Sequence, residues 1–273
     1  MGNEKKGKSK KKLKLKFKIV LIIIFIILYS IFIGTNFIIT KEFKVSSNKI
    51  DKKTHGLKIL HFSDLNYGSS LNVRKLKELI KKINDCKPDI VIFSGDLIYD
   101  NYKITENEEK EITQYLKDIK CELGKYYITG ESDKKEYISL LNGSDFINLE
   151  DGEQLIYKSK NTPILLTSKN KAKTFMDNNK DFQYYKILVI HNPDDFDEMK
   201  NLNFDLVLAG HTLNGSINIP KLKNILIDSE YKKSYYKINN TRMYINPGIG
   251  TKRIKARLFN HPKIYLFRLN SSI

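Results

Sequence analysis

From Ile19 to Ile39 the chain reads IVLIIIFIILYSIFIGTNFII, about 21 residues without a charge, and such a run limits everything around it. As an α-helix rising about 1.5 Å per residue it spans about 30 Å, the hydrocarbon thickness of one bilayer. A cleaved secretory signal has a shorter apolar core that ends in a small-residue site. The stretch here is long and shows no A-x-A pattern, so it reads as a retained anchor. Met1 to Lys18 holds nine lysines and one glutamate. By the positive-inside rule that run predicts a cytoplasmic N-terminus and an extracytoplasmic main domain, although Lys41, Lys44, Lys49, Lys52 and Lys53 weaken the contrast. The expected plan is a basic cytoplasmic tail over 1–18, a transmembrane helix over 19–39, a polar linker over 40–56 and one folded domain over 57–273. The protein is expected at the cell membrane, crossing it once.

Charge adds one exclusion. Of the net +17, the tail supplies +8 and leaves +9 for the rest. The tail abuts the membrane segment and has no aromatic residues interleaved for base stacking, so nucleic acid is not expected as a partner. Anionic lipid headgroups are, each charge near the surface contributing about 1 kcal/mol. Cys86 and Cys121 form no CxxC and have no histidine at zinc-finger spacing, which excludes a zinc finger. Cys86 falls in a helical pattern, and both cysteines read as plain buried hydrophobes in preference to a disulfide.

Within the domain, LKILHFSD (57–64) and DIVIFSGD (89–96) are apolar runs that end in an acid, and between them VRKLKELIKKINDC has helical spacing. This is a β-α-β unit. EEKEITQYLKDIKC reads as a second helix, and KYYITGESD, KILVIHNPDDF, DLVLAGHTLNG, MYINPGIG and KIYLFRL continue the apolar runs. The stretch from Glu150 to Tyr185 is compatible with strands of a second sheet or with an insertion. Each strand-like run ends in a polar cluster, as in α/β proteins whose loops at one sheet edge form the site. The clusters contain Asp64 and Asn66, Asp96, Glu131 and Ser132, His191, and His211 and Leu213. Two histidines and three carboxylates at successive strand ends suit a divalent zinc, manganese or iron. His61, His55 and His261 lie outside those clusters, and each reads as an ordinary hydrogen-bonded histidine.

The blocks SDLN, SGDL, GESD, IHNPD and GHTL, closed by NPGIG and then by Arg257, Leu258, Phe259 and Pro262, resemble in order those of calcineurin-like metallophosphoesterases. The likeness is strongest to the membrane-anchored bacterial branch of that family. It implies a hydrolase with an α/β, two-sheet sandwich flanked by helices, here preceded by one transmembrane helix. It also implies that Asp64 binds a first metal, Asp96 bridges two metals, and His191 and His211 bind the second. Four positions depart from the pattern. Asn66 and Leu213 stand where the family has histidines of the first metal site, Glu131 where it has an asparagine of the second, and Ser132 where it has a substrate-facing histidine. Glu131 offers an anionic oxygen, whereas Leu213 offers no lone pair, so one bound ion is expected in place of two. The resemblance implies hydrolysis of a phosphomonoester, phosphodiester or pyrophosphate bond, on a phosphorylated small molecule, an envelope lipid or a wall precursor, at reduced activity. A catalytically inactive pseudoenzyme serving as a surface binding or scaffolding module is the competing reading. No residue is assigned a catalytic role beyond metal binding.

Overall fold

The computed structural model describes residues 2–158, 162–213, 215–219, 225, 227–252 and 254–272, and of residues 2–13 the backbone alone. Helix α1 (Gly2–Phe32) is followed by β1 (Ile39–Ser47), β2 (Leu57–Phe62), α2 (Val73–Asp85), β3 (Ile90–Phe93), α3 (Glu106–Lys117), β4 (Lys125–Tyr127), α4 (Lys135–Asn142) and β5 (Phe146–Asn148). The second half contains β6 (Gln154–Ile156), β7 (Ile164–Ser168), α5 (Lys169–Asn178), β8 (Tyr185–Val189), a 3₁₀ segment (Pro193–Leu202), β9 (Leu206–Ala209), β10 (Tyr235–Ile238), β11 (Thr241–Ile245) and β12 (Lys263–Ser271). Among the described residues the strands form two six-stranded sheets, ordered β1-β12-β2-β3-β4-β5 and β10-β11-β9-β8-β7-β6. The stretch after Glu150 thus supplies strands of the second sheet.

Alternation along the strands builds the sandwich. Ile59, Ile90 and Ile92 face a buried layer shared with Ile164, Leu166, Ile187, Val189, Leu206 and Leu208 of the second sheet. The intervening Leu60, Phe62, Val91 and Phe93 face the opposite way, onto Leu76, Leu79 and Ile83 of α2 and Ile112 and Leu116 of α3. On the outer face of the second sheet, Leu188, Val207, Met243 and Ile245 pack on Ala172 of α5 and on Phe196 and Met199 of the 3₁₀ segment. Strands covered on both faces must be apolar throughout, which is why β3 is simply IVIF. The helix starts are locally encoded. Asn72 accepts from Lys75 N to cap α2, and Thr105 and Glu108 form a reciprocal capping box on α3.

Two boundaries differ from those expected. The helix stops at Phe32, not at residue 39, and the following stretch read as a linker contains β1, paired in parallel with β12 from Ile39↔Lys263 to Ser47↔Ser271. Its polar appearance has a simple cause. An edge strand needs apolar residues on one face only, and here Val45 is fully buried while Phe43 meets the rings of Tyr244, Tyr265 and Phe267. Ile38, at the end of the apolar run, joins the domain core. Lys14–Phe32 is long and apolar enough to cross a membrane, and its side chains from Ile19 to Leu28 lie exposed, as a lipid-facing helix requires. The helix end docks on the domain. Ser30 O accepts a hydrogen bond from Arg257 N, and a Cβ at Gly34 would stand 1.9 Å from Arg257 O, so only glycine fits that approach.

Cys86 and Cys121 are free and half-buried, packed against the helical layer. His61, on β2, is fully buried and hydrogen-bonded through Nε2 to Ser94 Oγ at 2.8 Å, with Nδ1 lacking a partner. Burial alone pulls its pKa down to about 3. Below pH 6.5 the unfolded chain therefore takes up a proton that the folded chain refuses until about pH 3. Stability is expected to fall by about 1.4 kcal/mol per pH unit from this group as pH drops from about 6.5 to 4. Urea unfolding at several pH values should show that slope, and His61→Gln should remove it.

Candidate metal centre

The C-terminal ends of the parallel strands of both sheets meet at one edge. Asp64 follows β2, Asp96 follows β3, Glu131 and Ser132 follow β4, His191 follows β8, and His211 and Leu213 follow β9. Five of these residues hold left-handed backbone: Asp64 (φ 48°), Asn66 (42°), Asp96 (62°), His211 (67°) and Leu213 (48°). Such backbone costs on the order of 1–3 kcal/mol per residue in the worst cases and persists where surrounding contacts impose it. Its concentration at one sheet edge marks a constructed site.

Asp64, Asp96 and His191, all buried, bring their ligand atoms within 4.8 Å of one another. Each is fixed by a contact that leaves a second atom turned into the cluster. Ser63 Oγ and His211 N donate to Asp64 Oδ2 at 2.6 and 3.0 Å, and Oδ1 has no hydrogen-bond partner. The N–H of Ser132 donates to Asp96 Oδ1 at 2.9 Å, leaving Oδ2 turned toward His191 Nε2 at 3.3 Å. His191 Nδ1 donates to Ser94 O at 2.6 Å, which sets the tautomer whose Nε2 can bind a metal. Buried atoms without hydrogen-bond partners include Asp64 Oδ1, His191 Nε2 and His211 Nδ1. These residues fit a divalent ion.

The buried charges of the cluster act strongly on one another. Burial works against charge on His191, but the facing Asp96 and Asp64 carboxylates outweigh it and raise the imidazole to about 9. For Asp96, burial pushes upward, yet His191 and Lys252 hold its pKa well below the usual range. His211 is shifted down by burial and by the charges of Lys252 and His191.

The structure divides the expected site residues. Asp64, Asp96 and His191 form the cluster, and His211 stands beside it with its ring 5.2 Å from that of His191. Glu131 is at the rim, 65% exposed, its carboxylate 3.8 Å from His211 Nδ1. It lines, with Thr129, Gly130, His191, Asn192 and Asp195, a cleft of about 250 Å³. Asn66 is fully buried and neither its Oδ1 nor its Nδ2 has a hydrogen-bond partner. Leu213 is buried against the same floor: a Cβ at Gly248 would meet Leu213 Cδ2 at 2.7 Å and Asp64 Cβ at 2.8 Å. Ser132 is buried and engages Asp96 through its main chain. His55 accepts from Ser271 N and His261 packs on Phe37, away from the cluster.

Three residues have roles that the sequence reading did not assign. Asp133 accepts hydrogen bonds from the N–H groups of Asp96, Gly130 and Leu97 at 2.7–2.8 Å and so shapes the turn that carries Asp96, while burial raises its own carboxyl to about 6. Its place in GESD was the available signal. Arg257, fully buried, donates to the carbonyls of Pro247, Gly248, Gly250 and Asn260 and holds the loop under the site. Lys252 places Nζ 2.5 Å from Asp96 Oδ2 and 4.0 Å from Asp64 Oδ1. One lysine in so basic a chain carries no signal by itself.

A family model described as calcineurin-like phosphoesterase matches residues 57–215. The uncharacterized metallophosphoesterase YkuE of Bacillus subtilis is 28% identical over 89% of this chain and 90% of its own. The UDP-2,3-diacylglucosamine pyrophosphatase LpxG of Chlamydia muridarum is 24% identical over 78% of this chain and 84% of its own. A transmembrane protein with metallophosphoesterase domain from Danio rerio is 22% identical over 82% of this chain, which spans 55% of that relative's length.

Proposed function

Because the chain belongs to the calcineurin-like phosphoesterase family, we propose that Asp64, Asp96 and His191 hold one divalent ion, manganese, zinc or iron, and that the domain hydrolyses a phosphate ester or pyrophosphate bond slowly. The convergence of those three buried ligands carries this reading. A bound divalent ion would polarise the phosphoryl group and supply hydroxide near neutral pH. The protein's own part is to aim Asp64 Oδ1, Asp96 Oδ2 and His191 Nε2 at one point, each through the hydrogen bonds described above. His211 and Glu131 extend the donor set toward the open cleft.

Ser132 limits the rate. Its hydroxyl does not ionise near neutral pH and cannot deliver a proton as a histidine does, so the leaving group lacks help typically worth about 10²- to 10⁴-fold. We place α1 across the membrane with its N-terminus in the cytoplasm and the domain, from Ile38 onward, outside. A relative named as a pyrophosphatase of a diacylated sugar nucleotide supports an envelope lipid or its precursor as substrate.

The test uses the full chain in detergent micelles, with Mn²⁺ or Zn²⁺ and bis-p-nitrophenyl phosphate. About one ion per chain and hydrolysis above a His191→Ala control are expected, with neither ion nor hydrolysis in that variant. An ion without turnover would leave a catalytically inactive binding module. No ion in either protein would remove the metal reading.

A further inference from the structure

Two carboxylates with no solvent exposure, Asp64 and Asp96, share one small cluster. Like charges buried together need a proton, a metal or a cation beside them. The only lysine or arginine side chain recorded in an ion pair with either, among the described residues, is that of Lys252. Its position is built into the fold. Gly250 N donates to Asp64 O at 2.8 Å, Thr251 is fully buried with Oγ1 2.9 Å from Ser69 Oγ, and Arg257 grips the Gly250 carbonyl from below. The backbone is thus anchored on both sides of the pocket floor before the lysine stem begins, and the side chain is only 24% exposed.

The replaced positions stand on the same side of the problem. Asn66 contributes a neutral amide and Leu213 an alkyl group where the family pattern has histidines, so a first metal position would lack those lone pairs while Asp64 and Asp96 keep their charge. We propose that the Lys252 ammonium is a built-in counter-cation that takes the place of the first metal ion, balancing Asp64 and Asp96 and leaving the pocket one exchangeable ion on the His191 side. The inference rests on the phosphoesterase reading for the identity of that exchangeable ion alone. Lys252 and a divalent ion then do overlapping work on the same two carboxylates. Removal of one should make the protein more dependent on the other.

The experiment compares the full-length parent with Lys252→Met in detergent micelles, by thermal unfolding in EDTA and in saturating Mn²⁺. In EDTA the variant should melt about 5 °C or more below the parent, since a buried charge pair has lost its partner. In Mn²⁺ the variant should recover most of that difference, so its metal-induced rise exceeds the parent's. Equal melting temperatures in EDTA would overturn the proposal, and so would equal rises where Mn²⁺ stabilises both proteins, because lysine and ion would then act independently. A loss in EDTA with no Mn²⁺ effect in either protein would support the counter-cation and refute the metal reading instead. If Lys252→Met does not fold, Asp64→Asn combined with Lys252→Met has one carboxylate fewer to balance and should fold. Failure of the double variant where Asp64→Asn alone folds would also overturn the proposal.

Discussion

An Asp133→Ala chain is expected to lose about 3 kcal/mol of stability and to retain no metal, although Asp133 is outside the cluster of Asp64, Asp96 and His191. Its carboxylate accepts from three main-chain donors, Asp96 N and Gly130 N on Oδ2 and Leu97 N on Oδ1. Deleting it leaves those donors unsatisfied, at roughly 1–3 kcal/mol for each buried group that water cannot reach. The second effect is geometric. Asp96 sits at φ 62°, a conformation the chain keeps only while its neighbours hold it there, and its Oδ2 is the atom that faces His191. Asp133→Asn keeps one acceptor oxygen but turns an N–H₂ toward N–H donors, so it should lose about as much metal and roughly half the stability. Urea unfolding at pH 7 together with metal analysis would check both effects. Full metal occupancy in Asp133→Ala would show that the Asp96 turn holds itself.

That residue also shows which kind of information a sequence carries. Asp64, Asp96 and His191 were legible because each closes an apolar run, and parallel strands must bring such ends to one edge. Strands β2, β3, β8 and β9 follow from alternation that matches two buried faces. Strand β1 did not, because KEFKVSS buries a single face and directly follows a run apolar enough for lipid. The same run hid the helix end: composition treats Ile27 and Ile38 alike, yet the first faces outward and the second belongs to the domain core. Lys252 was invisible for another reason. Its role depends on a loop closure after Gly250 that no local periodicity encodes, and a chain with 48 lysines and arginines offers many candidates.

Arg257 gives the larger effect and the sharper chemical distinction. Its Nη2 donates to the carbonyls of Pro247, Gly248 and Gly250, and its Nη1 to that of Asn260. Burial pulls its pKa down to about 10, with Asp64 opposing, so the guanidinium remains charged at neutral pH and is solvated by these carbonyls. Arg257→Ala removes the charge and the donors together and leaves a cavity at a fully buried site, a loss expected at about 4 kcal/mol. Arg257→Lys keeps the charge, but one ammonium cannot reproduce a planar fork aimed at four carbonyls, so it should recover less than half. Full recovery in urea unfolding would mean that charge alone matters there. Both variants should also weaken metal binding, because the loop they free carries Gly250 N to Asp64 O and carries Lys252 to Asp96. The main chain of the same residue meets Ser30 O at the end of the membrane-length helix. One residue therefore fixes the pocket floor and seats it on the anchor, so the pocket is held at a set position relative to the end of the apolar helix.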